Sequence, residues 1–191
     1  MKRINTPRLI LKAMRSSDCA GLCEVLGDPQ TADDLKSFVV DSIERAQLYI
    51  QRGNCPGDCR YGIFERDSAS FIGIIEIHVK EKKGERELAY ALSRSFRGKG
   101  YMTEAVRAVC DHIFYNPAVD VVSLRVLPAN LPSQAVARRA GFVLEPQTDS
   151  EKDYLLVVSR FDYRDGCLCL EPTPFDRLVL TRERHATGMT A

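Results

Sequence analysis

Apolar and polar residues follow two different periods along the chain, and together they predict a protein of the α/β (α+β) class. Apolar runs and strict alternation predict strands at residues 8–12, 61–65, 71–79, 85–92, 119–126 and 154–161. Apolar residues spaced three and four apart predict helices at 19–26, 37–52 and 133–140, and a strongly amphipathic one from 101 or 103 to Asn116-Pro117. Segments 28–34 and 52–59 are predicted loops. This order predicts one mixed, mostly antiparallel sheet flanked by helices.

The length of the chain suits a single domain. Its 191 residues are 45% hydrophobic, and a chain of this size can bury roughly 70% of its unfolded surface. We expect a domain at residues 1–161 and a C-terminal extension at 162–191. In the extension, Thr173–Thr181 is predicted to form an extra edge strand or a docked tail, and a flexible end follows.

Charge and hydropathy argue against a nucleic-acid-binding protein and against a membrane protein. The 27 Lys and Arg residues nearly balance the 26 Asp and Glu residues, and the net charge is +1. A nucleic-acid-binding domain would show a basic excess, so no nucleic-acid partner is expected. The apolar stretch near the N-terminus is too short for a signal peptide or a membrane span. A cytoplasmic protein without a membrane partner is predicted, and monomer and homodimer stay open.

The seven cysteines are odd in number and follow no export signal, so a disulfide framework is not expected. Cys19, Cys23 and Cys110 fall on apolar helical positions and are predicted core residues. The other four could be free thiols or could hold zinc in an interaction domain: Cys55, Cys59, Cys167 and Cys169. Their spacings differ from the commonest zinc pattern, so no metal is expected.

The segment from Arg97 to Thr103 carries the clearest chemical signal, because it joins a predicted strand to the amphipathic helix. Gly98 and Gly100 allow a tight turn and let a ligand approach the backbone. The amides of the loop and of the first helical turn can bind a diphosphate, and Arg97 and Lys99 add positive charge. The spacing matches neither the phosphate loop of nucleotide hydrolases nor G-x-G-x-x-G. Taken alone, it also fits a plain turn with solvated basic residues.

The run LAYALSRSFRGKGYMTEAVRAVCDHIF resembles the acetyl-CoA loop of the GNAT acetyltransferases, with its signature Arg/Gln-x-x-Gly-x-Gly/Ala. Arg97 and Gly100 match the signature. Met102 departs from its small residue, which predicts crowding of the diphosphate. The resemblance implies the GNAT acyl-CoA acyltransferase fold with splayed central strands, and acetyl-CoA as the acetyl donor. It implies a diphosphate site formed by Arg97, Gly98, Lys99, Gly100, Tyr101, Met102 and Thr103.

A second segment, Pro128–Ser133 followed by AVARRAGF, is similar to the P-x-N-x-x-S…GF signature of the RimJ/RimL-type branch of that family. The opening TPRLILKAMRSSD resembles the same branch, and the resemblance covers roughly Ile4–Phe161. It implies that Asn130 contacts the pantetheine arm and that Ser133 lies near the thioester. From the residues alone, Asn130 is equally a helix cap and Ser133 a hydroxyl of the first turn.

The resemblance also implies a V-shaped cleft where strand 85–92 splays from strand 119–126. Pantetheine would pair there with the backbone of Ala91, Leu92 and Ser93. The implied reaction is direct attack of an amine on the acetyl thioester.

An amine that attacks a thioester must lose a proton, and the leaving thiolate must gain one. Glu87 is our predicted general base, Glu76 is the second choice, and Ser133 is predicted to protonate the thiolate. Glu87 could instead be a solvated carboxylate of the charged run EKKGERE. The histidines at 78, 112 and 185 are scattered in sequence, so a Cys-His acyl transferase is not expected.

The leading hypothesis is therefore an N-acetyltransferase of the RimJ/RimL type. Its acceptor would be either a protein N-terminus or a small-molecule amine, and the sequence does not choose between them. The alternative is a non-catalytic acetyl-CoA sensor of the same fold, for which Met102 and the uncertain base are the grounds.

Overall fold

The computed structural model describes residues 2–35, 39–52, 59–145 and 154–164. The strands are β1 (Ile4–Asn5), β2 (Leu9–Ala13), β3 (Cys59–Glu65), β4 (Phe71–Val79), β5 (Glu85–Leu92), β6 (Val121–Val126), β7 (Val143–Leu144) and β8 (Tyr154–Ser159). The helices are α1 (Cys19–Leu26), α2 (Pro29–Asp34), α3 (Ile43–Arg52), α4 (Tyr101–Phe114), α5 (Leu131–Arg139) and α6 (Arg160–Arg164).

The eight described strands form one sheet in the order β1-β2-β3-β4-β5-β6-β8-β7. Neighbouring strands run antiparallel, except that β5 and β6 are parallel. The parallel pairing begins at Glu85 and Val121 and stops at Leu88 and Leu124, although both strands continue beyond it. The mixed, mostly antiparallel sheet with splayed central strands is confirmed.

Helices cover both faces of the sheet and bury two apolar clusters. The larger cluster packs α4 and α5 against the sheet around Val106, Leu124 and Leu156. The smaller one packs α1 and α3 against the opposite face, where Ile74 and Ala91 lie. Because side chains alternate between faces along a strand, neighbouring residues of β4 and β5 point to different helix layers. The cleft between β5 and β6 is therefore lined by side chains from both faces of the sheet.

The first two helices differ from the prediction. Segment 28–34 was expected to be a loop, but it holds α2, and α3 starts at Ile43 rather than near residue 37. The Asp28 carboxylate accepts hydrogen bonds from the Thr31 amide at 3.3 Å and the Thr31 hydroxyl at 2.7 Å. Ser42 Oγ accepts from the Arg45 amide at 3.2 Å in the same way. These side-chain caps set the two starts, and a six-residue helix offers too little periodicity to detect.

The predicted domain boundary between residues 161 and 162 falls within α6. Tyr163 Oη lies 2.9 Å from both the Arg107 carbonyl and Asp111 Oδ1, so α6 is bound to α4. The strand predicted at Thr173–Thr181 lies outside the described residues. Among the helices that are described, none has the length and apolar character needed to cross a membrane.

Candidate functional site

A cleft of about 730 Å³ opens where β5 and β6 separate. Its walls come from the unpaired ends of these strands, from the loop before α4, from the start of α5 and from α2. Nearly all of the predicted site residues line it: Glu76, Glu87, Ala91, Leu92, Arg97, Gly98, Gly100, Tyr101, Met102, Thr103, Asn130 and Ser133. Two segments about 30 residues apart in sequence are thus brought to one cavity.

The loop at the mouth of the cleft has the backbone of an anion site. Gly98 and Gly100 have φ of 76° and 80°, a region that residues with a Cβ rarely adopt. A Cβ at Gly98 would meet nothing within 4 Å, so space for a ligand lies directly against the backbone. The Glu104 amide donates to the Gly100 carbonyl at 3.1 Å. The amides before it, at the first turn of α4, have no carbonyl of their own helix to bind.

The segment between β1 and β2 holds this loop in place. Arg8 donates from Nε to Glu104 Oε2 at 2.7 Å and from Nη1 to the Lys99 carbonyl at 2.9 Å, and its guanidinium stacks 4.6 Å over the Tyr101 ring. The Thr6 hydroxyl donates to Glu104 Oε1 at 2.6 Å. Burial alone would raise the pKa of Glu104, but these hydrogen bonds and the Arg8 charge outweigh it and lower the pKa. Glu104 therefore stays ionised and bound to Arg8 instead of repelling an anion at the helix start.

Met102 and Thr103 occupy different environments within the first turn of α4. The Met102 side chain is only 5% exposed and packs in the larger core cluster. Packing of this side chain in the core argues against the predicted crowding of the diphosphate, which stays a prediction. Thr103 Oγ1 is buried without a hydrogen-bond partner among the described residues. A buried hydroxyl of this kind is costly unless a ligand satisfies it.

The edge of β5 presents only part of its backbone to the gap. The Ser93 amide donates to the Ile72 carbonyl at 2.8 Å, on the β4 side. Since backbone groups alternate in direction, Ala91 also faces β4, whereas Tyr90 and Leu92 face the gap. Of the three residues predicted to pair with pantetheine, Leu92 alone has this orientation. Its carbonyl accepts from Arg97 Nε at 3.0 Å.

On the α5 wall, Ser133 and Asn130 are joined to the helix start. Asn130 Oδ1 accepts from the Ser133 amide at 3.1 Å, which is the helix cap expected from the sequence. Ser133 Oγ lies 3.0 Å from the Tyr90 hydroxyl, and the Ser133 carbonyl, 3.2 Å from the same hydroxyl, is the alternative acceptor for its single proton. Burial raises the pKa of Tyr90 to about 12, so its hydroxyl keeps its proton and can donate to Ser133.

On the opposite wall, Glu76 is held by three side chains. Arg60 Nε lies 2.7 Å from Glu76 Oε1, the Tyr49 hydroxyl donates to the same oxygen, and His78 Nε2 lies 3.1 Å from Oε2. Burial would raise the pKa of Glu76, but the hydrogen bonds from His78 and Tyr49 and the Arg60 charge bring it below its usual value. A carboxylate so stabilised is a weak proton acceptor, which disfavours Glu76 as the general base.

Glu87 has ion pairs with cations from both sides. Glu87 Oε2 lies 2.8 Å from Lys80 Nζ and 3.4 Å from Arg125 Nε. It is therefore a paired carboxylate of the cleft wall, not the solvated one that the charged run allowed.

The described residues contain no group of three His, Cys, Asp or Glu side chains placed to hold a metal ion. Three of the four cysteines considered for zinc lie outside those residues: Cys55, Cys167 and Cys169.

A family model for the acetyltransferase (GNAT) domain matches residues 8–143, well over half of the chain. The chain belongs to the GNAT acetyltransferase family. It is accordingly an acetyl-CoA-dependent N-acetyltransferase. The matched region includes the diphosphate loop, the splayed strands and α5.

Relatives of this GNAT protein carry the same activity in their names. It is 27% identical over 150 residues to the N-acetyltransferase p20 of Bacillus licheniformis, covering 76% of this chain and 84% of the relative. It is 25% identical over 182 residues to the [ribosomal protein uS5]-alanine N-acetyltransferase of Escherichia coli, covering 90% and 91%. Spermidine N-acetyltransferase from Vibrio cholerae, solved with CoA and spermine, has the same fold: TM-score 0.69 at 15% identity, covering 83% and 99%.

The loop of the GNAT protein fits the diphosphate of acetyl-CoA on three independent observations. They are the open space beside Gly98, the amides at the start of α4, and the unpartnered Thr103 hydroxyl. When bound, acetyl-CoA supplies the activated acetyl group.

Sequence reasoning missed three residues in or beside the candidate site: Arg8, His78 and Tyr90. Arg8 and Tyr90 act on partners 96 and 43 residues away in the chain. His78 was dismissed as scattered, although its position two residues after Glu76 puts both on one face of a strand.

Proposed function

We propose that this GNAT enzyme acetylates the α-amino group of a peptide or protein N-terminus by direct attack in a ternary complex. The observation that supports this acceptor is the charge of the cleft wall. The two carboxylates among the described lining residues, Glu76 and Glu87, are both ion-paired, to Arg60 and to Lys80 with Arg125. A polycationic acceptor such as a polyamine needs carboxylates that are not already neutralised.

The nature of the amine supports the same choice. An α-amino group has a pKa of about 7.7–8.0, whereas an alkyl amine such as that of lysine has a pKa near 10.4. At neutral pH, the α-amine therefore needs much less help to lose its proton. The uS5-alanine acetyltransferase of Escherichia coli, whose name states an acceptor on a ribosomal protein, matches this chain over 90% of its length.

Ser133 is our proposed donor to the leaving sulfur. The Tyr90 hydroxyl lies 3.0 Å from Ser133 Oγ, and when it donates its proton there, the Ser133 hydroxyl can direct its own proton into the cleft. Tyr90 thus positions Ser133, and Asn130 fixes the backbone of the same turn at 3.1 Å. Leu92 and Tyr90 would offer the backbone groups that pair with the pantetheine arm.

Coenzyme A release from acetyl-CoA tests the proposal, measured with a panel of acceptors. The panel contains a peptide with a free N-terminal alanine, the same peptide with a blocked N-terminus and one lysine, spermidine and an aminoglycoside. We expect the free-N-terminus peptide to exceed the others by at least about tenfold in kcat/KM. Preference for spermidine or the aminoglycoside would overturn the acceptor class and favour the small-molecule alternative.

A further inference from the structure

His78 lies in the same wall of the cleft as Glu76 and Glu87. It lies on β4 directly opposite Glu87 of β5, one residue before the point where β5 and β6 cease to pair. Its side chain is 32% exposed and lines the cleft, so a bound amine can reach the ring. The vertex of the splay and this imidazole therefore belong to the same part of the cavity.

The contact with Glu76 fixes which ring nitrogen is basic. His78 Nε2 lies 3.1 Å from Glu76 Oε2, and Glu76 is ionised because its pKa is lowered. A carboxylate accepts only, so Nε2 carries a hydrogen and donates it. In the neutral ring the lone pair is then on Nδ1. Glu76 is itself held by Arg60 at 2.7 Å and by Tyr49, so it anchors the ring rigidly.

We infer that His78 is the general base that removes the proton from the acceptor amine, and that Glu76 is a positioning residue that orients it. The inference deepens the proposed acetyl transfer and rests on it. Glu87 and Glu76, which the sequence predicted as the general base and its second choice, therefore have other roles. Glu87, paired with Lys80 and Arg125, then shapes the wall beside His78.

The proton and electron balance is complete without any further reactant. His78 Nδ1 takes one proton from the acceptor ammonium, and the freed electron pair forms the new N–C bond to the acetyl carbon. The C–S bond breaks, and the sulfur takes from Ser133 Oγ a proton that the new amide nitrogen replaces. His78 returns to its neutral form by releasing its proton to solvent. The net change is ammonium plus thioester to amide, thiol and one proton.

The charges around the imidazole come from every strand and helix beside it. They are Glu76 on β4, Glu87 on β5, Arg125 on β6, Arg60 on β3, Lys80 after β4 and Tyr49 on α3. Two carboxylates stand against three cations, with the nearer carboxylate in contact with the ring. Histidine is the side chain whose ordinary pKa suits it to act as a base near neutral pH.

The test compares His78→Gln with His112→Gln over pH 5–9, using whichever amine of the panel the wild type acetylates best. His112 lies on α4 with its ring edge-on to Tyr61, outside the lining of the cleft. We expect His78→Gln to lose roughly 10²–10⁴-fold in kcat at neutral pH and to lose the acidic limb of the profile. Acetyl-CoA affinity by calorimetry should be unchanged, and His112→Gln should behave as wild type.

Two further measurements separate a chemical role from a structural one. Free imidazole should partly restore turnover to His78→Ala, which a folding defect would not allow. Glu76→Gln should lower kcat by less than His78→Gln does and should move the acidic limb to lower pH, because the imidazolium loses its carboxylate partner. An unchanged acidic limb in His78→Gln, or loss of less than threefold in kcat, would overturn the inference. Since the best amine of any class serves as acceptor, failure of the N-terminus proposal leaves this result readable.

Discussion

Arg8 Nε lies 2.7 Å from Glu104 Oε2, and this pair connects the segment between β1 and β2 to the first turn of α4. The same guanidinium donates to the Lys99 carbonyl at 2.9 Å, inside the loop itself. Ninety-six residues separate Arg8 from Glu104 in the chain. The candidate diphosphate loop is thus shaped by a residue that is far from it in the sequence.

Arg8→Ala should weaken acetyl-CoA binding with little loss of stability. Arg8 is 47% exposed, so the pair contributes at most about 1 kcal/mol to stability. Loss of its contacts loosens the loop, and we expect the Kd for acetyl-CoA to rise by at most roughly fivefold. Calorimetric titration with acetyl-CoA measures this. Arg45→Ala is the matched control, because Arg45 also pairs with an acid, Asp41, at 2.9 Å but lies away from the cleft. Equal acetyl-CoA affinity in the two variants would contradict the role of Arg8 in shaping the loop.

Gly98→Ala should raise the Kd for acetyl-CoA at least about tenfold. Its φ of 76° strains any residue with a Cβ, and the methyl group would occupy the space beside the loop. Gly141→Ala supplies the control, since Gly141 has φ of 92°, equally open space and no part in the cleft. Both should cost about 1 kcal/mol of stability, measured by denaturant unfolding. Only Gly98→Ala should weaken acetyl-CoA binding. An equal loss of acetyl-CoA affinity in both variants would contradict a diphosphate site at Gly98.

Tyr90→Phe should lower kcat about tenfold and leave the KM for acetyl-CoA nearly unchanged. The phenol holds Ser133 Oγ at 3.0 Å, and without it the serine can turn away from the leaving sulfur. Adding Ser133→Ala to Tyr90→Phe should cost nothing beyond Ser133→Ala alone, because both changes remove one function. Tyr163→Phe is the control, with a hydroxyl bound 2.9 Å from Asp111 outside the cleft. Additive losses in the double variant would show independent roles.

Met102→Ala should destabilise the fold without improving donor binding. The side chain is 5% exposed in the main core, so truncation leaves a cavity and costs about 2 kcal/mol or more in the free energy of unfolding. A side chain that crowded the diphosphate would give the opposite result, tighter acetyl-CoA binding on truncation. Urea unfolding and calorimetry on the same preparation distinguish the two.

Stability should fall in acid partly through Glu76. Burial opposes ionisation, yet His78, Tyr49 and Arg60 hold the pKa below the usual 4.5. A carboxyl with a lower pKa in the folded state contributes stability that is present above about pH 4.5 and is lost as pH falls through the folded-state pKa. Unfolding free energies of Glu76→Gln should therefore vary less between pH 7 and pH 3 than those of the wild type. An identical pH dependence would argue against the stabilised carboxylate.

Strands β4 and β5 were predicted with the bounds that the structure has, because each is a strong run between clear turns. Helix α2 escaped prediction because its start depends on one side-chain cap at Asp28, not on periodicity. The candidate diphosphate loop could be predicted from the sequence because its chemistry is local: glycines, a helix start and basic side chains lie in consecutive positions. The role of Tyr90 depends on Ser133, 43 residues away in the chain, and no local pattern encodes it. The contact of His78 with Glu76 is local, but its position opposite Glu87 depends on the pairing of β4 with β5.

The parallel seam between β5 and β6 is only four residue pairs long, yet it joins five strands on one side to three on the other. A pantetheine arm bound along the gap would form hydrogen bonds like an additional strand and would link these two parts of the sheet. Loading of the donor would then stiffen the sheet, and departure of coenzyme A would loosen it at the place where the acceptor binds. The hinge between the two parts of the sheet would then coincide with the site of acetyl transfer. Motion of the sheet would therefore be coupled to binding and release of the cofactor.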